Sequence, residues 1–199
     1  AETALQLARD IIAEGISDNA QIRQKLRELA HRVGVLTSKV AKDEDSVYRM
    51  YYDYKEPVSR AAGHRVLALN RGEREEFLKV TVEVDEALAH QIICRAVINP
   101  PSLCCEQVRE AAKDAWSRLI EPSLEREIRS ELTDKANEGA IRVFGQNLKQ
   151  LLMQPPIRGR VTLGVDPGFR TGCKLAVVDE TGKVLETGVG HFTIPGQDR

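Results

Sequence analysis

The chain changes its hydrophobic period once, at Gln154-Pro155-Pro156, and this break constrains the fold more than any other feature. Before it, apolar residues recur at three- and four-residue spacing, as on amphipathic helices. After it, Val161, Leu163 and Val165 alternate with other residues at the two-residue period of a strand. Proline has no N–H to give and clashes with a preceding helical turn, so a Pro-Pro pair here reads as a domain boundary. The expected organisation is a helical region over residues 1–154 and the start of a strand-led domain over 157–199.

Within the first region, Ala4, Leu7, Ala8, Ile11 and Ile12 predict a helix over residues 2–14 with Gly15 as its C-cap. Ser17, Asp18 and Asn19 offer an N-cap for a second helix, whose apolar face is Ile22, Leu26, Leu29, Ala30 and Val33 and which ends at Gly34. Val35 to Val40 is more β-like. All four tyrosines fall in Ser46–Tyr54. They could stack on unpaired bases, but at helical spacing a core role is favoured. A short helix is expected over 63–71, ending at Arg71-Gly72, then a strand through Phe77, Val80, Val82 and Val84.

Leu88 to Ile98 predicts a buried helix stopped by Pro100 and Pro101. Ser102 can cap the next, which carries Trp116 and runs to about Leu119. Glu121-Pro122-Ser123 reads as a turn and a fresh start. A long helix over Ser123–Met153 follows, roughly 45 Å at 1.5 Å per residue, with Leu124, Ile128, Leu132, Ala136, Val143, Phe144, Leu148 and Leu151 on its apolar face. Beyond the break, strands are expected to Asp166, over Cys173–Val178 and over Val184–Phe192, with Glu180-Thr181-Gly182-Lys183 as a hairpin turn. Three meandering strands do not make a stable domain alone. The fold class is therefore mainly α, a multi-helix region with a long helix and a short strand element, followed by the first strands of an α/β domain.

Composition excludes several classes. With 42% apolar and 30% charged residues spread through the length, the chain is globular rather than disordered. No apolar run approaches the roughly 20 residues of a membrane span, so no membrane partner is expected. Cys94, Cys104, Cys105 and Cys173 show no disulfide framework and read as free thiols in a reducing cytoplasm. His90 and Cys94 lie four apart on an expected helix, but two ligands at one spacing do not make a metal site. Net charge is −1. Its distribution is uneven: from Arg142 to Lys174 there are six basic residues against one acid, Asp166.

The string that carries chemistry is Gly164-Val165-Asp166-Pro167-Gly168-Phe169-Arg170-Thr171-Gly172. It puts an acid at the end of a buried strand, before a glycine-rich turn into an antiparallel strand. Ribonuclease H-like nucleases and resolvases begin this way, their aspartate sharing two divalent metals that activate water for phosphodiester cleavage. Asp166 is the candidate catalytic and metal-binding residue, and magnesium suits such carboxylate and water ligands. Gly168 and Gly172 permit a tight turn and a close approach to phosphate. Sugar-kinase and actin-like ATPases begin similarly, and a plain hairpin with an aspartate in its turn is the bland alternative. One carboxylate cannot hold two metals, and Asp179, at the end of the second strand, is expected at the far end of the hairpin.

Three strings in order resemble one family. Tyr51-Tyr52-Asp53-Tyr54-Lys55-Glu56-Pro57-Val58, followed by His64-Arg65-Val66-Leu67-Ala68-Leu69-Asn70-Arg71-Gly72-Glu73, resembles the central stretch of the Tex transcription accessory proteins. Trp116-Ser117-Arg118-Leu119-Ile120-Glu121-Pro122-Ser123-Leu124-Glu125-Arg126-Glu127 resembles the family too. So does Leu163 to Lys174, which looks like the opening of its YqgF domain. The resemblance implies a longer bacterial protein with further N-terminal helices, the rest of the ribonuclease H-like YqgF domain, helix-hairpin-helix domains and a C-terminal OB-fold that binds RNA. It implies a cytoplasmic factor with RNA or DNA, and the transcription machinery, as partners, and a YqgF domain in which Asp166 is vestigial.

Three functions compete on this reading. The favoured one is a scaffold within a nucleic-acid-binding factor, not an enzyme and without a cofactor, in which Arg158, Arg160, Arg170 and Lys174 contribute phosphate contacts. The second is a metal-dependent nuclease, with magnesium held in part by Asp166. The third is a protein-interaction module built on the long helix.

Overall fold

The computed structural model describes residues 2–42, 44–98, 102–155, 157, 159–168 and 171–191. The chain divides into two compact units, residues 1–144 and 145–199. The architecture is mainly α, followed by a small antiparallel sheet.

Unit 1 opens with α1 (Glu2–Asp18) and α2 (Ala20–Val33). The first helix runs through Gly15, which has open space around its Cα, and stops where Asn19 caps the second. The Asn19 side-chain oxygen accepts from the N–H groups of Gln21 and Ile22 at 3.0 and 3.1 Å, satisfying two donors that have no intrahelical partner. The buried stripe of α1 is Ala13, Ile16 and Ser17, while Leu7 and Ile11 are exposed, so its face is rotated from the sequence expectation. On α2, Ile22, Leu26, Leu29 and Ala30 of the expected row are buried, while Val33, at the helix end, is exposed.

Three strands, β1 (Val35–Val40), β2 (Asp53–Pro57) and β3 (Leu78–Glu83), form an antiparallel sheet in the order β2-β1-β3. Leu36, Leu78, Val80 and Val82 turn one face into the core. The tyrosine segment is not a helix. A single 3-10 turn, Arg49–Tyr51, leads straight into β2. Its role is nevertheless core: Tyr48 is buried against Phe77 with ring centroids 5.9 Å apart, and Tyr51, Tyr52 and Tyr54 pack on the same cluster.

Helix α3 (Gly63–Arg74) passes Gly72 without stopping. A Cβ there would meet Leu78 Cδ1 at 2.5 Å, so this glycine serves close packing of α3 on β3 and not a cap. The left-handed turn beyond the helix falls to Glu76, with φ of 62°. Helix α4 (Glu86–Val97) starts at the Asp85 cap, whose carboxylate accepts from Leu88 N–H at 3.0 Å. It buries only Ala89 and Ile93, so it lies on the surface of the core and is not a buried helix. Pro100 and Pro101 lie outside the described residues.

The largest departure from expectation is at Pro122. No turn forms at Glu121-Pro122-Ser123. Instead α5 (Cys105–Asp114) runs through a π-helical segment, Ala115–Ile120, directly into α6 (Glu121–Leu152). Glu121 N–H reaches back five residues to the Trp116 carbonyl. Widening the turn makes room for a ring that would otherwise strike the carbonyl four residues earlier. The segment also buries Trp116 and Ile120.

Helix α6 packs beside α2 in the same direction. Arg23 donates to Ser123 Oγ, Arg27 pairs with Glu127 at 2.6 Å, and His31 contacts Glu131 at 2.9 Å, each step four residues on along both helices. Its buried face is Leu124, Ile128 and Ala136. Val143, Phe144, Leu148 and Leu151, expected on that face, are exposed. Side chains of α3 and α6 also close the free edge of β3. Glu73 accepts from Val80 N–H at 3.1 Å, Arg129 donates to the Val80 carbonyl at 2.9 Å, and Glu125 accepts from Val82 N–H at 3.3 Å. An edge blunted in this way offers no template for another strand.

Unit 2 contains β4 (Thr162–Asp166), β5 (Cys173–Val178) and β6 (Val184–Gly190), paired antiparallel in that order. Gly182, with φ of 87°, makes the β5–β6 turn. The third strand ends at Gly190 in the described residues, and Phe192 lies outside them.

Candidate functional site

The chemistry-bearing string folds as a strand, a loop and an antiparallel return. Asp166 is the last residue of β4 and sits opposite Lys174 on β5. Directly opposed residues share a sheet face, and both residues are exposed, although among the described residues no ion pair joins their side chains. Arg160 lies before β4, beyond the end of the strand away from Asp166, and β4 alone spans about 13 Å at 3.3 Å per residue. The structure thus brings Asp166 and Lys174 together and sets Arg160 apart. Arg158 and Arg170 lie outside the described residues.

The loop glycines have a steric reason for being glycine. A Cβ on Gly168 would meet the Gly172 carbonyl oxygen at 2.4 Å. Gly172 adopts φ of 80°, and a Cβ on it would meet Val189 Cγ1 at 2.8 Å and His191 Nε2 at 2.9 Å. The loop closes on itself and on β6. Asp179 is distant from Asp166, because Thr162 and not Asp166 opposes the Val178 end of β5. It belongs to its own turn: its carboxylate accepts from the Thr181 hydroxyl at 2.7 Å and from the N–H groups of Thr181 and Lys183 at 2.8 and 3.0 Å. The Thr181 hydroxyl first, then these N–H groups, hold its carboxyl below its usual range. Among the described residues no three His, Cys, Asp or Glu side chains gather as a metal group. His90 approaches Glu86 at 3.8 Å and leaves Nε2 buried without a hydrogen bond.

In unit 1 several ionisable side chains tie one element to another. Glu56, 9% exposed, accepts from Tyr54 OH at 2.8 Å and from two nitrogens of Arg65. Burial alone would raise its carboxyl pKa, but Arg65 and Tyr54 together hold it below the usual value. Arg129 lies between Glu73 (2.5 Å), Asn70 (3.1 Å) and the Val80 carbonyl, on the floor of a groove of about 410 Å³ between α3 and α6. Sequence reading missed this network. Arg129 and Glu73 are 56 residues apart, and no local pattern links a mid-helix arginine to a strand edge.

Residues 1–144 match a family model described as Tex central region-like, and residues 160–199 one described as a Tex protein YqgF-like domain. The chain belongs to the Tex family. Among relatives of the Tex chain, "Uncharacterized protein YdcI" of Bacillus subtilis is 47% identical over 193 residues, covering 94% of the chain and 27% of that protein. "Transcriptional accessory protein Tex" of Neisseria gonorrhoeae is 33% identical over 198 residues, 94% of the chain and 26% of that protein. "S1 RNA-binding domain-containing protein 1" of Homo sapiens is 34% identical over 166 residues, 79% of the chain and 17% of that protein. The Tex chain spans about a quarter of the length of the first of these. No helix among the described residues is long and apolar enough to cross a membrane.

Proposed function

We propose that this Tex chain serves a nucleic-acid-binding transcription accessory factor, with RNA as the favoured ligand, and that unit 1 is its scaffold and not a catalytic centre. The observation that carries the scaffold reading is the pairing of charge in unit 1. Arg65–Glu56, Arg129–Glu73 and Arg27–Glu127 tie helices to strands and to each other. Enzymes more commonly hold such groups perturbed and open to a substrate. The names of the Neisseria and human relatives, one a transcriptional accessory protein and one containing an S1 RNA-binding domain, support the choice of ligand. Arg158, Arg160, Arg170 and Lys174 are the phosphate contacts in this reading, and the exposure of Arg160 and Lys174 suits that role. No cofactor is needed.

A metal-dependent nuclease is the second reading, favoured by the exposed Asp166 at the end of β4. Asp166 would then hold magnesium together with carboxylates from elsewhere in the protein. The deciding experiment measures full-length protein binding to single-stranded RNA and duplex DNA across a salt series, scoring the same samples for cleavage with magnesium. Binding without cleavage, unchanged by Asp166→Ala, supports the accessory factor. Cleavage lost in Asp166→Ala establishes the nuclease instead. Changing all four basic residues to alanine should flatten the RNA salt slope by about 3, at roughly 0.7 per phosphate contact. An unchanged slope removes them from the interface.

A further inference from the structure

The three-stranded sheet of unit 1 turns one face to the core and the other to solvent. Strand register fixes which residues share the outer face. Lys39 on the central strand opposes Asp53 on β2 and Lys79 on β3, and Thr37 opposes Lys55 and Thr81. Lys39, Lys55 and Lys79 are therefore on one face, and all three are exposed. Opposed side chains have Cβ atoms about 5 Å apart and diagonal ones about 7–8 Å, so Lys39 has Lys79 directly beside it and Lys55 on the diagonal.

Like charges directly opposite one another destabilise a sheet. Lys42, just beyond β1, contacts Glu76 at 2.8 Å. Among the described residues, Lys39, Lys55 and Lys79 make no ion pair and donate no side-chain hydrogen bond. The acids on the same face are Asp53, at the edge beside Lys39, and Glu83, at the opposite end, where it accepts from Thr37 at 3.4 Å. Between the lysines, Thr37 and Thr81 join hydroxyls at 2.7 Å, and Thr37 is only 1% exposed.

We propose that this lysine face is a phosphate-contact surface for single-stranded nucleic acid, separate from the basic residues of unit 2. Three exposed lysines on one sheet face, with Asp53 as the one directly opposed acid, complement a run of phosphates, and binding one would relieve the Lys39–Lys79 repulsion. The face is a sheet surface with no helix or ribbon to enter a duplex groove. A single strand can lay successive phosphates across it. The contact is independent of base sequence, since the face carries no aromatic ring on which a base could stack. The proposal rests on the nucleic-acid reading above for its choice of polyanion.

The test uses the full-length protein, with Lys39, Lys55 and Lys79 all changed to glutamine, and single-stranded RNA, duplex DNA and poly-glutamate as probes across a salt series. A charge-retaining variant, with the same three changed to arginine, and a control with exposed Lys25, Lys135 and Lys183 changed to glutamine accompany it. The expected result is a single-strand salt slope about 2 units shallower in the glutamine variant, at roughly 0.7 per lysine, with the arginine variant and the control unchanged. An unchanged slope in the glutamine variant overturns the proposal. So does an equal loss in the arginine variant or the control, or a loss confined to duplex DNA or to poly-glutamate. A wild-type protein that binds no nucleic acid at any salt defeats the accessory-factor reading as well. Wild-type binding that survives the glutamine variant defeats this surface alone.

Discussion

Replacing Arg129 with methionine removes one guanidinium from three partners while keeping the aliphatic stem. The Glu73 carboxylate, the Asn70 side-chain oxygen and the Val80 carbonyl all lose a donor. A hydrogen bond to a charged group contributes about 1.5–3 kcal/mol, and breaking a fully buried ion pair costs about 3–5 kcal/mol. Arg129 and Glu73 are 22% and 36% exposed, so water screens the pair and can replace part of what is lost. The expected cost is about 2–3 kcal/mol, equivalent to about 5–10 °C in Tm for a unit of this size. Trp116 is the only tryptophan in the chain, 1% exposed and inside unit 1, so its fluorescence during urea denaturation reports this unit. The pH dependence gives a second check. Burial acts to raise the Glu73 carboxyl, but Arg129 and the Val80 N–H together hold it below its ordinary value of 4.5. A depressed carboxylate contributes stability that is present above the unfolded value and lost as pH falls through the folded one. The gap between wild type and Arg129→Met should therefore be full at neutral pH and shrink below pH 4.5. A gap under about 0.5 kcal/mol at neutral pH, or one that widens in acid, would refute the argument.

Two further outcomes follow from the packing of unit 1. Gly72→Ala should destabilise it by about 1–3 kcal/mol in the same denaturation assay, because the new Cβ would lie 2.5 Å from Leu78 Cδ1 and 3.1 Å from Tyr48 Cδ1. By contrast, Arg27→Ala should cost about 1 kcal/mol or less, and less again in high salt, since Arg27 and Glu127 are 38% and 33% exposed. A cost above about 2 kcal/mol would mean that the α2–α6 ladder holds the helices together more than their apolar faces do.

Much of the local structure was legible in the sequence because local rules fix it. Asn19 caps α2, Cys173–Val178 forms a strand, Gly182 makes the hairpin turn, and the apolar row of α2 is buried from Ile22 to Ala30 where its spacing puts it. The family was legible as well, because three motifs in order are far more specific than periodicity. The misreadings share a cause. Gly15 and Gly72 looked like helix ends, yet nothing crowds the first and the second is required by Leu78, which lies on a different element. Pro122 looked like a break, but a π turn that buries Trp116 and Ile120 absorbed it.

For the candidate site the division is similar. Sequence alone determined that an aspartate ends a strand before a glycine-rich loop, since residue order and period are local properties. Tertiary structure alone decided that Asp166 faces Lys174 and that Arg160 sits at the other end of the sheet. It also decided that Lys39, Lys55 and Lys79, spread over 41 residues of sequence, meet on one face. Strand register does this: pairing brings together residues that no sequence period connects, and a shift of one residue would turn each of them to the opposite face.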